Sequence, residues 1–592
     1  MSNNTSEMLS DKKIFDLMDE RFKEQNILYK HNIESFNSCV IKLIDYLENN
    51  KNVFSENKND DLIERNYFSI KNIRIRPPMK KNGKDLLMPT EAKIRNITYV
   101  ITFIADVTQY KEIYNLSTDK IISNDKVGET SKDITVMEIP NMVNSNTCSN
   151  TIQKDENECI IDPGGYFIVN GGEKLMLCIE KQVDDKPLVF MSKDGSGVNT
   201  VNIYRVQIHS SSNDLNSMMQ KTQIILKKDY SMVVKVPLFH EVSIFIILKA
   251  LGLVKDKEVV DYITYNSNDN EMIKLLEIII NISKNEEDTQ ILSQDDALNY
   301  LIQKVKVSIK YNDLIKESKE NEYLVKKEHL KMLLIKSFIP HINNFEYNDI
   351  LKAKGIYVCY MINKLLNCYL GRTELDDRDS FLNKRVSMPG DTILDIAIKN
   401  HKKMLNNTNK SYKKRMQTSN ENINVINTIE TKPVLGSLKK ALSNGTNDDI
   451  NQTNLAMVLP RLSLIQTLVY LRCIKSATTD GTMQTLVQPR MFHPSQTGFV
   501  STTETPEHSK IGYTKHLSLT GSITVEDKNQ TILLYKEITN NKLFTHFDYI
   551  SSLNLLTSCK IFLNGNWIGF TNKPTEFYNE LKSLKQNNII EQ

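Results

Sequence analysis

One stretch limits the possible folds more than any other: "DPGGYFIVNGGEKLMLCIEKQ", Asp162 to Gln182. Pro163 presets φ near about −65°, and a glycine after it supplies positive φ, so Asp-Pro-Gly-Gly is a turn by mechanism. "YFIV" then reads as a strand. Asn170-Gly171 is a two-residue hairpin turn, and "KLMLCI" is the returning strand. No helix can run through this segment, so the surrounding fold contains β-sheet.

The rest of the chain mixes periodicities. Residues 13 to 49 read as one or two helices and residues 50 to 62 as a polar linker. From Tyr67 the pattern is that of strands, "FSIKNIRIR" and then "AKIRNITYVITFIADVTQY". Strands continue from about 190 to 230. Residues 241 to 370 turn helical ("EVSIFIILKALG", "NEMIKLLEIIINI", "KEHLKMLLIKSFI", "IYVCYMINKLLNCYLG"). The charge cluster "DDRDSFLNKR" follows, Asp376 to Arg385, and then the Lys-rich helix "HKKMLNNTNKSYKKRM". A loop spans 444 to 454, a helix about 455 to 474, and a polar loop runs on to about 490. The tail from 525 alternates like strands and ends in a short helix near 575 to 585. Strands followed by a helical block, in 592 residues, predict a multidomain α+β protein.

Charge excludes some functions. The 75 basic and 72 acidic residues nearly cancel, so any nucleic-acid surface must be local. The N-terminus reads as polar and amphipathic, without a signal peptide, and predicts a protein that is not secreted. The most apolar windows fall short of the roughly 20 residues a bilayer span needs, so no membrane partner is expected. The eight cysteines form no CxxC pair, which argues against a zinc site or a disulfide framework and fits a reducing compartment. Abundant Lys and Asn fit an AT-rich genome, as in many large DNA viruses.

Two segments invite a chemical reading. In "LPRLSLIQTLVYLRC", Arg461 and Arg472 are eleven residues apart, three helical turns, and a continuous helix would point them the same way. Leu462, Ile465, Leu468 and Val469 would share that side, with Ser463, Gln466, Thr467 and Tyr470 opposite. Either two guanidiniums face phosphates, or two arginines snorkel at the ends of an apolar face; periodicity alone favours the second. The following loop carries Gln488, Arg490, His493 and Gln496. The aspartates of "DDRD" flank Arg378 and read as a salt-bridged connector rather than a metal site. No P-loop, HExxH or GxSxG occurs, so no self-contained enzyme is indicated.

These segments, in order with "VPLFHEVSIFIILKALGL" and "FVSTTETPEHSKIGYTKHLSL", closely resemble the second-largest subunit of multisubunit DNA-directed RNA polymerase, of the eukaryotic or large-DNA-virus type. The likeness runs from about Phe15 to "NGNWIG", Asn564 to Gly569. It implies a protrusion over 13–188 that returns over 373–450, a lobe inserted over 189–372, a fork over 451–525, and the start of an external region over 526–592. It implies that the "ETPE" turn and its strand line the cleft beside the RNA–DNA hybrid. Arg461, Arg472, Gln488, Arg490, Glu504, Lys510 and Lys515 are then the candidate nucleic-acid-binding residues. The residues from Ser476 to Gln488 sit where the family has a fork loop at the downstream edge of the bubble.

The implied activity is nucleotidyl transfer by the assembled enzyme, this chain supplying no catalytic residue and binding no cofactor. Mg2+ would be held mainly by the largest subunit. Implied partners are the C-terminal half of the same subunit, the largest and smaller subunits, DNA template and RNA transcript, in a nucleus, viral factory or virion. The alternative is a stand-alone nucleic-acid-binding module without polymerase activity. The sequence departs from the family at Cys473, where a second arginine is usual, and at His508, where glycine is usual. It is also roughly half the family length, so a split subunit and a truncated product both remain open.

Overall fold

The computed structural model describes residues 11–23, 26–59, 62–115, 120–194, 201–212, 219–237, 240–266, 268–286, 291–304, 322–344, 349–417, 426, 429–445, 455–476, 487–507, 510–525, 528–549, 556–587 and 589–590. The chain divides into two compact units. One comprises residues 1–181 and 379–525, the other 182–378 and 526–592.

The first unit is built on a four-stranded antiparallel meander of Asn52–Asn59, Leu62–Arg76, Val100–Asn115 and Lys120–Pro140. The stretch expected to be a polar linker is thus the first strand. Its buried Asn52, Phe54 and Ser55 alternate imperfectly because the register shifts between Val53 and Ser55. The helices Lys30–Asn49 and Pro389–Met416 pack on this sheet and on each other. Phe54 stacks on Phe68 at 4.5 Å and meets Tyr412 edge-on at 5.6 Å. The two helices approach closely at Gly390, whose N–H donates to the Ser35 hydroxyl at 3.2 Å; a Cβ there would lie 2.0 Å from the Ser35 carbonyl oxygen.

The Asn170-Gly171 hairpin forms as expected: both residues have positive φ, 50° and 78°, joining Phe167–Val169 to Gly172–Met176. The expected return strand, however, is divided. Gly172–Met176 pairs with Ala456–Val458, whereas Cys178–Gln182 enters a different sheet. That second sheet has the order Lys384–Ser387, Cys178–Gln182, Cys473–Ser476, Thr514–His516.

The second unit has a five-stranded antiparallel sheet, Val242–Ser243, Met232–Lys235, Gln220–Leu226, Val201–Ser210 and Leu188–Asp194 in that order. One face, with Val206, Ile208, Ile224 and Leu226, is buried in a core that includes the helices Ile244–Ala250, Asp256–Thr264 and Ile350–Tyr369. Trp567 and Phe547 join that core, their rings meeting edge-on at 5.4 Å. The tail ends in the expected short helix, Pro574–Gln586, but departs from the expected strands at its start, because Lys528–Asn540 is a helix. With Pro574–Gln586 it packs around the sheet Thr545–His546, Asn566–Thr571, Cys559–Leu563 through Ile538, Leu563, Ile568 and Phe577. Among the described residues no helix is long and apolar enough to cross a membrane.

Candidate nucleic-acid interface

The long helix expected between 455 and 474 is a strand, Ala456–Val458, then an eight-residue helix, Leu464–Leu471, then a second strand, Cys473–Ser476. Ser463 caps the helix, its hydroxyl accepting the Gln466 N–H at 3.1 Å. Both arginines therefore lie outside the helix and do not share a face. The expected apolar stripe is inverted as well. Thr467 is buried, its hydroxyl donating to the carbonyls of Pro460 and Ser463, while Leu462 is 89% and Ile465 74% exposed.

Arg461 belongs to an ion network on the hairpin. Its guanidinium grips Glu173 at 2.7 and 3.0 Å, reaches Asp162 at 3.4 Å and lies 4.9 Å from the centre of the Tyr166 ring. Lys93 completes the group, 2.6 Å from Glu173 and donating to the Tyr166 hydroxyl at 2.8 Å. Burial works against the charge on Arg461, but Glu173 and Asp162 outweigh it and raise its pKa.

Arg472 is 6% exposed. Its guanidinium donates to three backbone carbonyls, Leu28 at 2.7 Å, Ser518 at 2.6 Å and Gly521 at 2.8 Å. It ties the segments around Leu28 and Ser518 together, and burial, aided by Arg21, lowers its pKa. Cys473, in place of the family's second arginine, is buried on the neighbouring strand.

Lys515 is on a strand, as expected, but it points inward. Its ammonium donates to Glu180 at 3.0 Å, and Lys384 pairs with the other oxygen of the same carboxylate. Lys384 also lies 3.5 Å from Asp379, the last acid of the "DDRD" cluster, while Asp376 pairs with Lys364 at 2.7 Å. Burial would raise the Glu180 pKa; Lys515 and Lys384 outweigh it, so the carboxylate is held below its usual range. The sheet makes this cluster: three neighbouring or next-neighbouring strands, Lys384–Ser387, Cys178–Gln182 and Thr514–His516, each contribute one charged side chain.

Above this base lies the "ETPE" turn. The Thr505 hydroxyl donates to the Thr514 carbonyl at 3.0 Å and accepts the Gly512 N–H at 2.9 Å, which closes the turn. Arg490 donates to the Ile511 carbonyl at 3.0 Å and lies 4.4 Å from the centre of the Tyr513 ring. Gly512 has φ +74°, and a Cβ there would lie 2.3 Å from the Arg490 carbonyl oxygen. Arg490 and Lys510 are therefore brought to one turn, with Lys510 and Glu504 exposed at the surface. Gln488 is exposed in the same one-turn helix as Arg490, Gln488–Arg490. Behind the turn His516 contacts the Val469 carbonyl at 3.1 Å, and burial lowers its pKa. His508 and residues 477–486 of the expected fork loop lie outside the described residues.

Sequence reasoning missed Glu180, Lys384, Thr505 and Tyr513. Glu180 was detectable: it is an acid inside the apolar run "KLMLCIEKQ", and a charge buried in a strand needs a counter-ion. Among the described residues no group of three or more His, Cys, Asp or Glu is placed to hold a metal ion.

Comparison with known proteins follows the same segments. The family described as RNA polymerase Rpb2, domain 2, matches residues 185–387, and RNA polymerase Rpb2, domain 3, matches 457–523. DNA-directed RNA polymerase subunit 2 of Acanthamoeba polyphaga mimivirus is 30% identical, over 98% of this chain and 49% of its own length. DNA-directed RNA polymerase II subunit RPB2 of Schizosaccharomyces pombe is 27% identical over 84% of this chain and 41% of its own. The RNA polymerase III subunit RPC2 of Saccharomyces cerevisiae is 26% identical over 94% and 46%. The chain thus spans about half the length of the curated relatives it matches. Over these segments the chain is similar to the second-largest, Rpb2-type subunits of DNA-directed RNA polymerase.

Proposed function

We propose that this chain forms one wall of the DNA/RNA cleft of a multisubunit DNA-directed RNA polymerase and supports template-directed RNA synthesis there. The observation that carries this reading is the meeting of Thr505 with Gly512 and Thr514 in the "ETPE" turn. The turn is closed by Thr505, seated on the Glu180 ion cluster through the adjoining strand, and it presents Arg490 and Lys510 on a rigid support. Cations fixed in this way meet a phosphate backbone with little loss of side-chain entropy. Arg490 and Lys510 then contact phosphates, with Gln488 and Glu504 beside them. Arg461, Arg472 and Lys515 act as positioning residues, since their donors engage groups of this chain.

The domain map of protrusion (13–188, 373–450), lobe (189–372), fork (451–525) and external region (526–592) belongs to the same proposal. So do the partners: the sequence corresponding to the relatives' other half, in cis or in trans, the largest subunit and smaller subunits. Nucleotidyl transfer is assigned to the assembly, with Mg2+ held mainly by the largest subunit, in a nucleus, viral factory or virion.

The test is a reconstituted polymerase containing this chain, assayed on a template–transcript scaffold. Arg490→Ala and Lys510→Ala should each weaken the elongation complex to a similar extent on every template sequence. Each should reduce the salt slope of log K by about 0.7 to 0.9, one phosphate contact. A sequence-selective defect, or an unchanged salt slope in both variants, would refute the phosphate contact.

A further inference from the structure

The second unit contains a cavity of about 410 Å3, in the size range of ligand sites. Four elements contribute to its lining: the end of the helix Asp256–Thr264, the helix Asn270–Glu286 through Met272, the helix Ile350–Tyr369 through Asn363 and Asn367, and the strand Cys559–Leu563 through Lys560. None of these residues belongs to the interface above.

Lys560 is the unusual member. Its ammonium lies 4.4 Å from the ring centre of Tyr265, 5.7 Å from Trp567 and 5.8 Å from Tyr360. Among the described residues it makes no hydrogen bond and no ion pair. Aromatic faces offset part of the cost of burying a cation, but they leave its charge without a counter-ion. Burial accordingly lowers the Lys560 pKa.

Tyr265 supplies a second group without a partner. Its hydroxyl is buried and bonded to nothing among the described residues. Its backbone has φ +57°, where a bulky residue is strained, at the C-terminal end of the helix. Strain of this kind persists where surrounding structure holds a side chain in place, and it gathers at ligand sites. The carboxylate on the described wall, Asp269, is already matched: Arg372 donates to it at 2.8 Å and to Glu271 at 2.9 Å. Asp269 therefore does not serve as the counter-ion of Lys560.

We propose that this cavity binds a small oxyanion, carboxylate or phosphate, with one oxygen on the Lys560 ammonium and another accepting from the Tyr265 hydroxyl. A charge-assisted hydrogen bond to a desolvated ammonium is the stronger of the two contacts, and Tyr265 adds orientation. The two amides, Asn363 and Asn367, border the site and favour a polar ligand over an apolar one.

The experiment titrates the full 592-residue chain with sodium phosphate and, separately, sodium acetate at constant ionic strength, reading heat by calorimetry and the shift in melting temperature. Saturable binding is expected below about ten millimolar. Lys560→Met keeps the apolar stem and should weaken it at least about tenfold; Tyr265→Phe removes only the hydroxyl and should weaken it about threefold. Lys235→Met, on the second strand of the five-stranded sheet, should bind as the parent does. A response to phosphate alone assigns a phosphoryl group, to acetate alone a carboxylate, and to both any small oxyanion. Absence of saturable binding by either anion overturns the proposal, as does unchanged affinity in Lys560→Met. If Lys560→Met fails to fold, unchanged affinity in Tyr265→Phe overturns it instead.

Discussion

Glu180 shows what a single side chain decides here. One buried carboxylate holds two lysines from two other strands, so its removal leaves two cations without their anion. Glu180→Gln should destabilise the first unit by about 3–5 kcal/mol, read from urea unfolding. Because its pKa is held below the unfolded value near 4.5, the stability it contributes is full above that pH and is lost as pH falls through the folded pKa. Acid titration should therefore show a loss of stability starting near pH 4.5 in the parent that is smaller in Glu180→Gln; identical acid profiles would contradict the assignment. Arg472 and Arg490 separate at this scale too. Arg472→Ala removes the donors of three carbonyls, of which Ser518 keeps the Gly521 N–H while Leu28 and Gly521 lose theirs, and should lower the free energy of unfolding by about 2–4 kcal/mol. Arg490→Ala should leave stability within about 1 kcal/mol of the parent and act on the salt slope.

Among the elements, two close backbone approaches set the geometry. Gly390 lets Pro389–Met416 lie against Lys30–Asn49, and a methyl group there meets backbone rather than a movable side chain. Gly390→Ala should cost about 1–3 kcal/mol, measured as a shift in urea midpoint without a change in slope. Gly512 combines positive φ with contact to the Arg490 backbone. Gly512→Ala should then displace Arg490 from Tyr513 and reproduce the salt-slope loss of Arg490→Ala. A Gly512→Ala enzyme with the parent's salt slope would show that Arg490 does not depend on the turn.

For the whole molecule, exposed apolar surface points to what surrounds the chain. Leu462, Leu464 and Ile465, which follow Arg461 in the chain, are exposed, as are Ile160 and Ile161, which precede its partner Asp162. The sheet of the tail is covered by its own two helices, Lys528–Asn540 and Pro574–Gln586. Isolated chain should therefore associate through the 460–465 segment, and Leu462→Ser with Ile465→Ser should reduce that association in light scattering. Coexpression with the sequence corresponding to the relatives' other half should reduce it in the parent. A monodisperse parent chain at micromolar concentration would remove the basis for this prediction.

The sequence by itself determined the local elements whose geometry rests on neighbouring residues. The Asn170-Gly171 hairpin, the helices of 30–49 and 350–369 and the α+β character follow from turn chemistry and periodicity, which act within a few residues. The ordered motifs also carried the resemblance to the family. Only the tertiary structure decided where the charges point. Lys515 is on the expected strand, yet whether it faces phosphate or Glu180 depends on a strand 335 residues away in sequence. Arg461 and Arg472 looked equivalent on one helix, and the Ser463 cap and the pairing of Ala456–Val458 and Cys473–Ser476 separated them. A charged side chain takes the counter-ion that folding brings to it, and that choice is made by contacts between distant segments, which periodicity does not record.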